Sequence, residues 1–359
     1  MRTEWYVIST NHLQGIRGKT HRWIRSFLTQ RKQRVMINGD FSEWVNVDSS
    51  VPQGTVTGPL MFLMFINDLP GNISSNVRLF ADDCILYRTI SGPSDANILQ
   101  ADLDTLTKWQ FDWQMMFNAK KCYVLSVTHS KAPLKFTYNL NHTQLQATTN
   151  HTYLGVSLTH DLSWSSHINN TTAKANRSLG FLRRNLCSCS KNIKDMAYKT
   201  LVRPILEYCS SVWDPHTQNL INQVEAVQNR AARFVSGIYG RNTSITQIKK
   251  SLGWDELATR RKVTRLSIFQ QALGGNLAIP ARNILRPVQR SSRSSSPNTN
   301  NFTNISANKN CYKYSFIPRT LSDWNQLPKS ITSIIDKNQF KSATSKHFKI
   351  KEEPTTHTN

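Results

Sequence analysis

The stretch from Ser49 to Arg88, SSVPQGTVTGPLMFLMFINDLPGNISSNVRLFADDCILYR, decides how this chain is read. Near its end, Leu79-Phe80-Ala81-Asp82-Asp83-Cys84-Ile85-Leu86-Tyr87 sets two adjacent carboxylates between two apolar runs. Runs so rich in Leu, Ile, Phe and Tyr read as short buried strands. A strand, a tight turn and a returning strand would hold both acids at the tip of a hairpin. Ionised carboxylates on a rigid frame suit Mg²⁺, which takes hard oxygen ligands and usually few of them from protein. An Asp-Asp pair alone reads far more often as an acidic surface turn, since acidic turn residues are common. Its neighbours decide between the two.

Upstream stand Val51-Pro52-Gln53-Gly54, then Gly58-Pro59-Leu60, an apolar run, and Ile66-Asn67-Asp68-Leu69-Pro70. In this order the set resembles the palm of reverse transcriptases from non-LTR (LINE-type) retrotransposons. The glycines have a physical use as well, since they let backbone approach a nucleotide closely and take positive φ. Before this block, Gly15-Ile16-Arg17-Gly18 and a segment with Trp23, Phe27 and Leu28 at helical spacing resemble the same family. Residues 33–39 then alternate and end in a turn, like a hairpin strand. After it come Phe117-Asn118, Lys121-Cys122, the Tyr153-Leu154-Gly155 turn, Leu206-Glu207-Tyr208, and Trp324-Asn325-Gln326-Leu327-Pro328. The resemblance runs from about residue 12 to residue 345.

The resemblance implies an α+β fold, an incomplete right-hand polymerase palm followed by a helical thumb and a C-terminal extension. The corresponding segments are 1–150 for the partial palm, 151–280 for a primer grip and thumb-like region, 281–308 for a flexible basic linker, and 309–359 for the extension. It also implies RNA-directed DNA polymerase chemistry, with Mg²⁺, an RNA template, a DNA primer and a dNTP. Asp82 and Asp83 then stand at the catalytic metal positions. Gln53 and Gly54 line the nucleotide and template pocket, and Phe80 and Ala81 lie beneath the primer terminus. Lys121 lies near the triphosphate, and Tyr153, Leu154 and Gly155 form the primer grip. In that family a further metal-binding Asp lies on a strand before the Gly15–Gly18 turn. The acids upstream of Val51 are Glu4, Asp40, Glu43 and Asp48, and none sits in that pattern. The alternative expectation is an N-terminally truncated, catalytically inactive remnant that at most binds nucleic acid through its basic C-terminal half.

Charge supports a polyphosphate partner. The chain of 359 residues carries a net +23, distributed unevenly. Residues 1–170 hold 15 Lys and Arg against 12 Asp and Glu, whereas 171–270 hold 17 against 6 and 281–359 hold 13 against 4. A single-sign bias of this size points to nucleic acid. The 38% hydrophobic content and nine Trp argue for folded modules. The six Cys show no C-x-x-C pair, and Cys187-Ser188-Cys189 has the wrong spacing for a zinc knuckle. They read as reduced thiols of an intracellular protein, nuclear or cytoplasmic and not secreted. The longest apolar run, Leu60 to Ile66, is far short of the ~20 residues that span a bilayer.

Periodicity supplies the helices. Leu99, Leu103, Leu106, Trp109 and Trp113 predict an amphipathic helix over 96–116, with Asp102 and Asp104 facing outward. An apolar strand is expected over 123–127. A basic helix over 173–186 carries Arg177, Arg183 and Arg184, and Pro204 is expected to kink or interrupt the helix over 196–213. Leu220, Val224, Val227, Ala231 and Phe234 line one face of a further helix. Residues 289–304, rich in Ser, Asn and Arg, read as a flexible linker.

Overall fold

Two compact units divide the chain, one within 1–148 and one within 149–359. The structure, a computed structural model, describes residues 15–48, 50–240, 242–279, 284–286 and 302–352. Most of the expected linker, 287–301, lies outside the described residues.

In the first unit, α1 (Gly18–Leu28) buries Ile24 and Leu28 and leaves Trp23 exposed, stacked on Phe27. The strand expected over 33–39 is split. β1 (Arg31–Gln33) pairs with β4 (Val45–Val47), while β2 (Met36–Ile37) pairs with β3 (Asp40–Phe41), all antiparallel. Asn38 and Gly39 make the two-residue turn, both at positive φ, as an Asn-Gly hairpin favours. Next, α2 (Gly58–Ile66) carries Pro59 in its first turn, where a missing N–H costs nothing. Its apolar side chains serve two clusters. Met61 packs with Ile24 and Leu28, and Ile66 joins Leu69, Leu103, Leu106, Tyr138 and Leu140.

β5 (Asn76–Phe80) and β6 (Asp83–Tyr87) form an antiparallel hairpin, whose Val77, Leu79, Cys84 and Leu86 pack on that second cluster. The following helix, α3 (Pro93–Trp113), begins three residues earlier than the apolar spacing predicts and ends at Gln114 with φ +54. One expectation about it is wrong. Asp104 is exposed, but Asp102 faces inward and is 3% exposed. Its two carboxylate oxygens accept the backbone N–H groups of Ser74 and Ser75, each at 2.8 Å. Those donors lie just before β5 and have no strand partner, so a buried carboxylate there replaces water. β7 (Tyr123–Leu125) is shorter than expected and pairs in parallel with β10 (Gln146–Thr148), and β8 (Asn139–Leu140) with β9 (Thr143–Gln144) makes a small hairpin between them.

The second unit opens with another hairpin, β11 (Asn150–Tyr153) and β12 (Val156–Thr159). α4 (Ser165–Asn185) follows and is longer than the basic segment alone suggests. α5 (Lys191–Ala197) passes into a π turn at Tyr198–Val202, then α6 (Arg203–Glu207), with Pro204 in its first turn. Pro204 therefore interrupts this helix rather than bending it. α7 (Ser210–Trp213), α8 (Gln218–Ser236), α9 (Ile245–Ser251) and α10 (Leu257–Leu273) complete a bundle around Ile168, Leu179, Tyr198, Leu206, Trp213 and Val227. α10 also faces a second core, in which its Leu266 and Phe269 meet Leu321 and Trp324 of α11 (Phe316–Trp324) and Phe340 of α12 (Lys337–Glu352). The Trp324-Asn325-Gln326-Leu327-Pro328 motif thus has a structural use: Trp324 and Leu327 are buried, and Asn325 fastens the backbone of Phe302 through both its N–H and its carbonyl.

Among the described residues no helix is long and apolar enough to cross a membrane, and all six cysteines are free thiols.

Candidate active site

The β5–β6 register pairs Phe80 with Asp83, which leaves Ala81 and Asp82 as the two residues of the turn. Ala81 takes φ +50, a conformation that glycine or asparagine adopts more readily. Strain of this kind collects where a site requires it. Phe80 is 61% exposed, and Ala81, Asp82 and Asp83 are exposed beside it. Neither carboxylate has an ion pair or side-chain hydrogen bond among the described residues. An apolar strand pair therefore carries two open hard-oxygen donors on one tight turn, the arrangement the motif predicts. The described residues hold no group of three or more His, Cys, Asp and Glu placed to share a metal ion.

Of two other expected segments, the Lys121-Cys122 segment shares the hairpin's core, whereas the Val51–Gly54 loop packs through Val51 on the cluster of Ile24, Leu28 and Met61. The loop Val51-Pro52-Gln53-Gly54 leads into α2. Thr55 Oγ1 donates to the Pro52 carbonyl at 2.8 Å and accepts the Gly58 N–H at 3.2 Å, which fixes the loop to the helix start. Gln53 is exposed, and Gly54 turns with φ +76. A Cβ on Gly54 would meet nothing within 4 Å, whereas one on Gly58 would lie 2.9 Å from Thr55 Oγ1. Gly58 is thus the tightly packed glycine here, and Gly54 is required for its backbone angle.

Lys121 ends a 3₁₀ turn, Ala119–Lys121, and is exposed. The following Cys122 belongs to the same apolar cluster as Cys84 of β6. Burial pushes the Cys84 thiol up to about 11, and the nearby Cys122 adds to the rise. The Lys121-Cys122 segment therefore runs beside the strand that begins with Asp83. Asp68 of the Ile66–Pro70 motif is half-buried and takes a hydrogen bond from Trp109 Nε1 at 3.3 Å. Its pKa is raised by burial, and it serves the fold.

The Tyr153-Leu154-Gly155 turn lies in the second unit. Tyr153 pairs with Val156, so Leu154 and Gly155 make the turn at φ +47 and +76. Tyr208, of the Leu206-Glu207-Tyr208 motif, donates its hydroxyl to the Leu154 carbonyl at 3.0 Å. Its ring covers Gly155, where a Cβ would come within 3.2 Å of the ring edge. Motif order gives no hint of this clamp, because the partners are 54 residues apart. Behind it, His167 accepts the Ser157 N–H through Nδ1 at 3.2 Å, and burial holds its pKa below 6.5.

The basic half is less free than its composition suggests. The six acids of 171–270 (Asp195, Glu207, Asp214, Glu225, Asp255 and Glu256) all stand in ion pairs. Arg261 and Arg265, buried, are bound to Asp214. One exposed face of α4 carries Lys174, Arg177, Phe181 and Arg184 at successive helical turns, and Arg183, Lys191, Arg230 and Lys250 are exposed as well. Phe181 is 57% exposed there.

A mixed helix-and-strand domain with an acidic hairpin turn of this form is similar to the palm of a nucleic-acid polymerase. Residues 7–158 match the family described as reverse transcriptase (RNA-dependent DNA polymerase). Across 250 residues the chain is 26% identical to a probable RNA-directed DNA polymerase from transposon X-element of Drosophila melanogaster, covering 65% of this chain and 27% of that protein. It is 27% identical over 280 residues to the RNA-directed DNA polymerase from mobile element jockey of the same organism, covering 72% of this chain and 30% of that one. The non-LTR resemblance read from the motifs stands with these relatives, of whose length the chain spans about 30%.

Proposed function

We propose that this chain is the reverse transcriptase portion of a non-LTR element, catalysing nucleotidyl transfer from a dNTP to a primer 3′-hydroxyl on an RNA template. The observation that carries the reading is the strained turn holding Asp82 and Asp83 open at the end of a strand pair packed on one face. Unpaired, exposed carboxylates fit a hard cation such as Mg²⁺. Asp82 and Asp83 are the residues that would hold it, and when bound it supplies a lowered pKa at the primer hydroxyl and charge stabilisation on the attacking and leaving oxygens. Phe80 and Ala81 present an apolar, closely approached floor for the primer terminus. Gln53 and Gly54 line the nucleotide and template side, and the open space around Gly54 leaves room for a base or sugar. Lys121 neutralises the departing pyrophosphate. Tyr153, Leu154 and Gly155 grip the primer backbone, held in shape by Tyr208. The arrangement is a right-hand palm followed by a helical thumb.

The test uses residues 1–359 with a primed RNA template. Incorporation that requires template, dNTP and Mg²⁺ together supports the reading. No incorporation by a folded protein that still binds the primed template would favour the second reading instead, a nucleic-acid binder without catalysis. The exposed face of α4 favours that binding role in either case, because every acid nearby is already paired. Replacing Lys174, Arg177 and Arg184 together with Gln should lower the slope of log affinity against log salt by about 2, from a per-phosphate contribution of roughly 0.7–0.9. An unchanged slope would remove α4 from the interface.

A further inference from the structure

Where the Asp214-Pro215 turn meets α10 and α11, the second unit holds a cavity of about 260 Å³. Its charged lining is Asp214, Arg261, Lys262, Arg265, Arg319 and Asp323. Four cations face two carboxylates, and the carboxylates are fully used among themselves. Asp214 takes Arg261 Nε at 2.7 Å, Arg265 Nη1, and Arg319 Nη1 at 3.4 Å. Asp323 takes Lys262 Nζ at 3.0 Å and Arg265 Nη2. Arg319 also donates to the carbonyls of Asp214 and Pro215.

This leaves an excess of positive charge in a low-dielectric setting. Arg261 and Arg265 are each about 1% exposed, yet Arg261 Nη1 and Arg265 Nε have no hydrogen-bond partner. Buried guanidinium donors without acceptors are costly, and unneutralised buried charge more so. Burial and the neighbouring Arg265 and Arg261 hold the Arg319 pKa down against the pull of Asp214, which is the same imbalance seen from another side. Nucleic-acid tracking on α4 does not explain it, because these side chains point into a cavity.

We propose that this cavity is a binding site for a phosphate oxyanion, recognised by Lys262 and Arg319 at its mouth and by the charge of Arg261 and Arg265 at its floor. A tetrahedral dianion offers several acceptors at once and balances the two surplus charges, and guanidinium groups match it in geometry. The phosphate can be free or can be the terminal group of a nucleic-acid strand. The site stands apart from the polymerase reading and does not depend on it.

The full chain is titrated with inorganic phosphate, with chloride holding ionic strength constant, and both heat of binding and melting temperature are read. The expected result is saturable binding with a rise in melting temperature, as any ligand of the native state produces. Lys262→Gln and Arg319→Gln should each weaken it about tenfold, the factor expected for one charge-assisted contact. Lys131→Gln, which removes one exposed charge in the first unit, should leave it unchanged. Competition with an oligonucleotide carrying a 5′-phosphate, against the same strand ending in hydroxyl, separates the sources. Displacement by the phosphorylated strand alone assigns the site to a strand end, and displacement by neither assigns it to free phosphate. Equal stabilisation by chloride, or phosphate binding that survives both cavity substitutions in folded protein, overturns the proposal.

Discussion

Ala81-Asp82 and Leu154-Gly155 are two hairpin turns built alike and finished differently. Each joins antiparallel strands through two residues, and each places a non-glycine first residue at φ near +50. At the second turn, Tyr208 closes over the backbone and fills the space. At the first, two carboxylates and Phe80 stand open. A turn braced by a neighbour suits the positioning role proposed for Leu154-Gly155, whereas an open turn beside unpaired carboxylates suits the metal-holding role proposed for Asp82 and Asp83.

The largest stability effect should come from filling the braced turn. Gly155→Val meets both a left-handed φ of +76 and the Tyr208 ring at 3.2 Å. Strain and overpacking together should cost about 3 kcal/mol in urea unfolding. Gly54→Val has the same φ of +76 with nothing within 4 Å, so only the backbone term of about 1–2 kcal/mol applies. Equal losses at the two positions would show that Tyr208 does not brace the turn. Next, Tyr208→Phe keeps the ring and removes its hydrogen bond to Leu154, a loss of about 1 kcal/mol. No loss in a denaturant titration would mean that the hydroxyl is equally well served by water.

A smaller effect follows from His167 behind that turn. Its folded pKa lies below 6.5 because of burial, so the unfolded chain takes the proton more readily. Its contribution to stability is therefore present above about pH 6.5 and is lost as pH falls through that value. Protonation at Nδ1 would also break the bond from Ser157. His167→Gln should flatten the dependence between pH 7 and 5, and an unchanged curve would place the pH sensitivity elsewhere. The smallest effect is Gln53→Ala, an exposed side chain with no folding role, expected within about half a kcal/mol in stability. The same variant should weaken dNTP-dependent binding of a primed template. Unchanged binding would remove Gln53 from the pocket.

The acidic hairpin was legible because local pattern alone dictates it: two apolar strands around an Asp pair leave little choice of turn. The helix over 218–236 was legible for the same reason, through its apolar stripe. Asp102 was misread because a helical wheel reports only which residues share a face. It cannot show that Ser74 and Ser75, nearly thirty positions earlier, bring unpaired N–H groups to that face. The Tyr208 clamp and the burial of Arg261 and Arg265 escaped likewise, since each depends on partners about fifty residues away. Composition counted those arginines as surface charge. The fold uses them as internal ties.

The central claim is that the open turn reacts and the braced turn positions. Single-nucleotide incorporation on a primed RNA template, per folded molecule, tests it most directly with wild type, Asp82→Asn and Tyr208→Phe side by side. The account predicts that Asp82→Asn lowers Mg²⁺-dependent incorporation by about a hundredfold or more, since metal-held charge supplies several kcal/mol, while its melting temperature stays at the wild-type value. Tyr208→Phe should lower the melting temperature and leave incorporation by the folded fraction within a few-fold, roughly what a lost neutral hydrogen bond allows. Incorporation that survives Asp82→Asn at the wild-type rate would contradict the account.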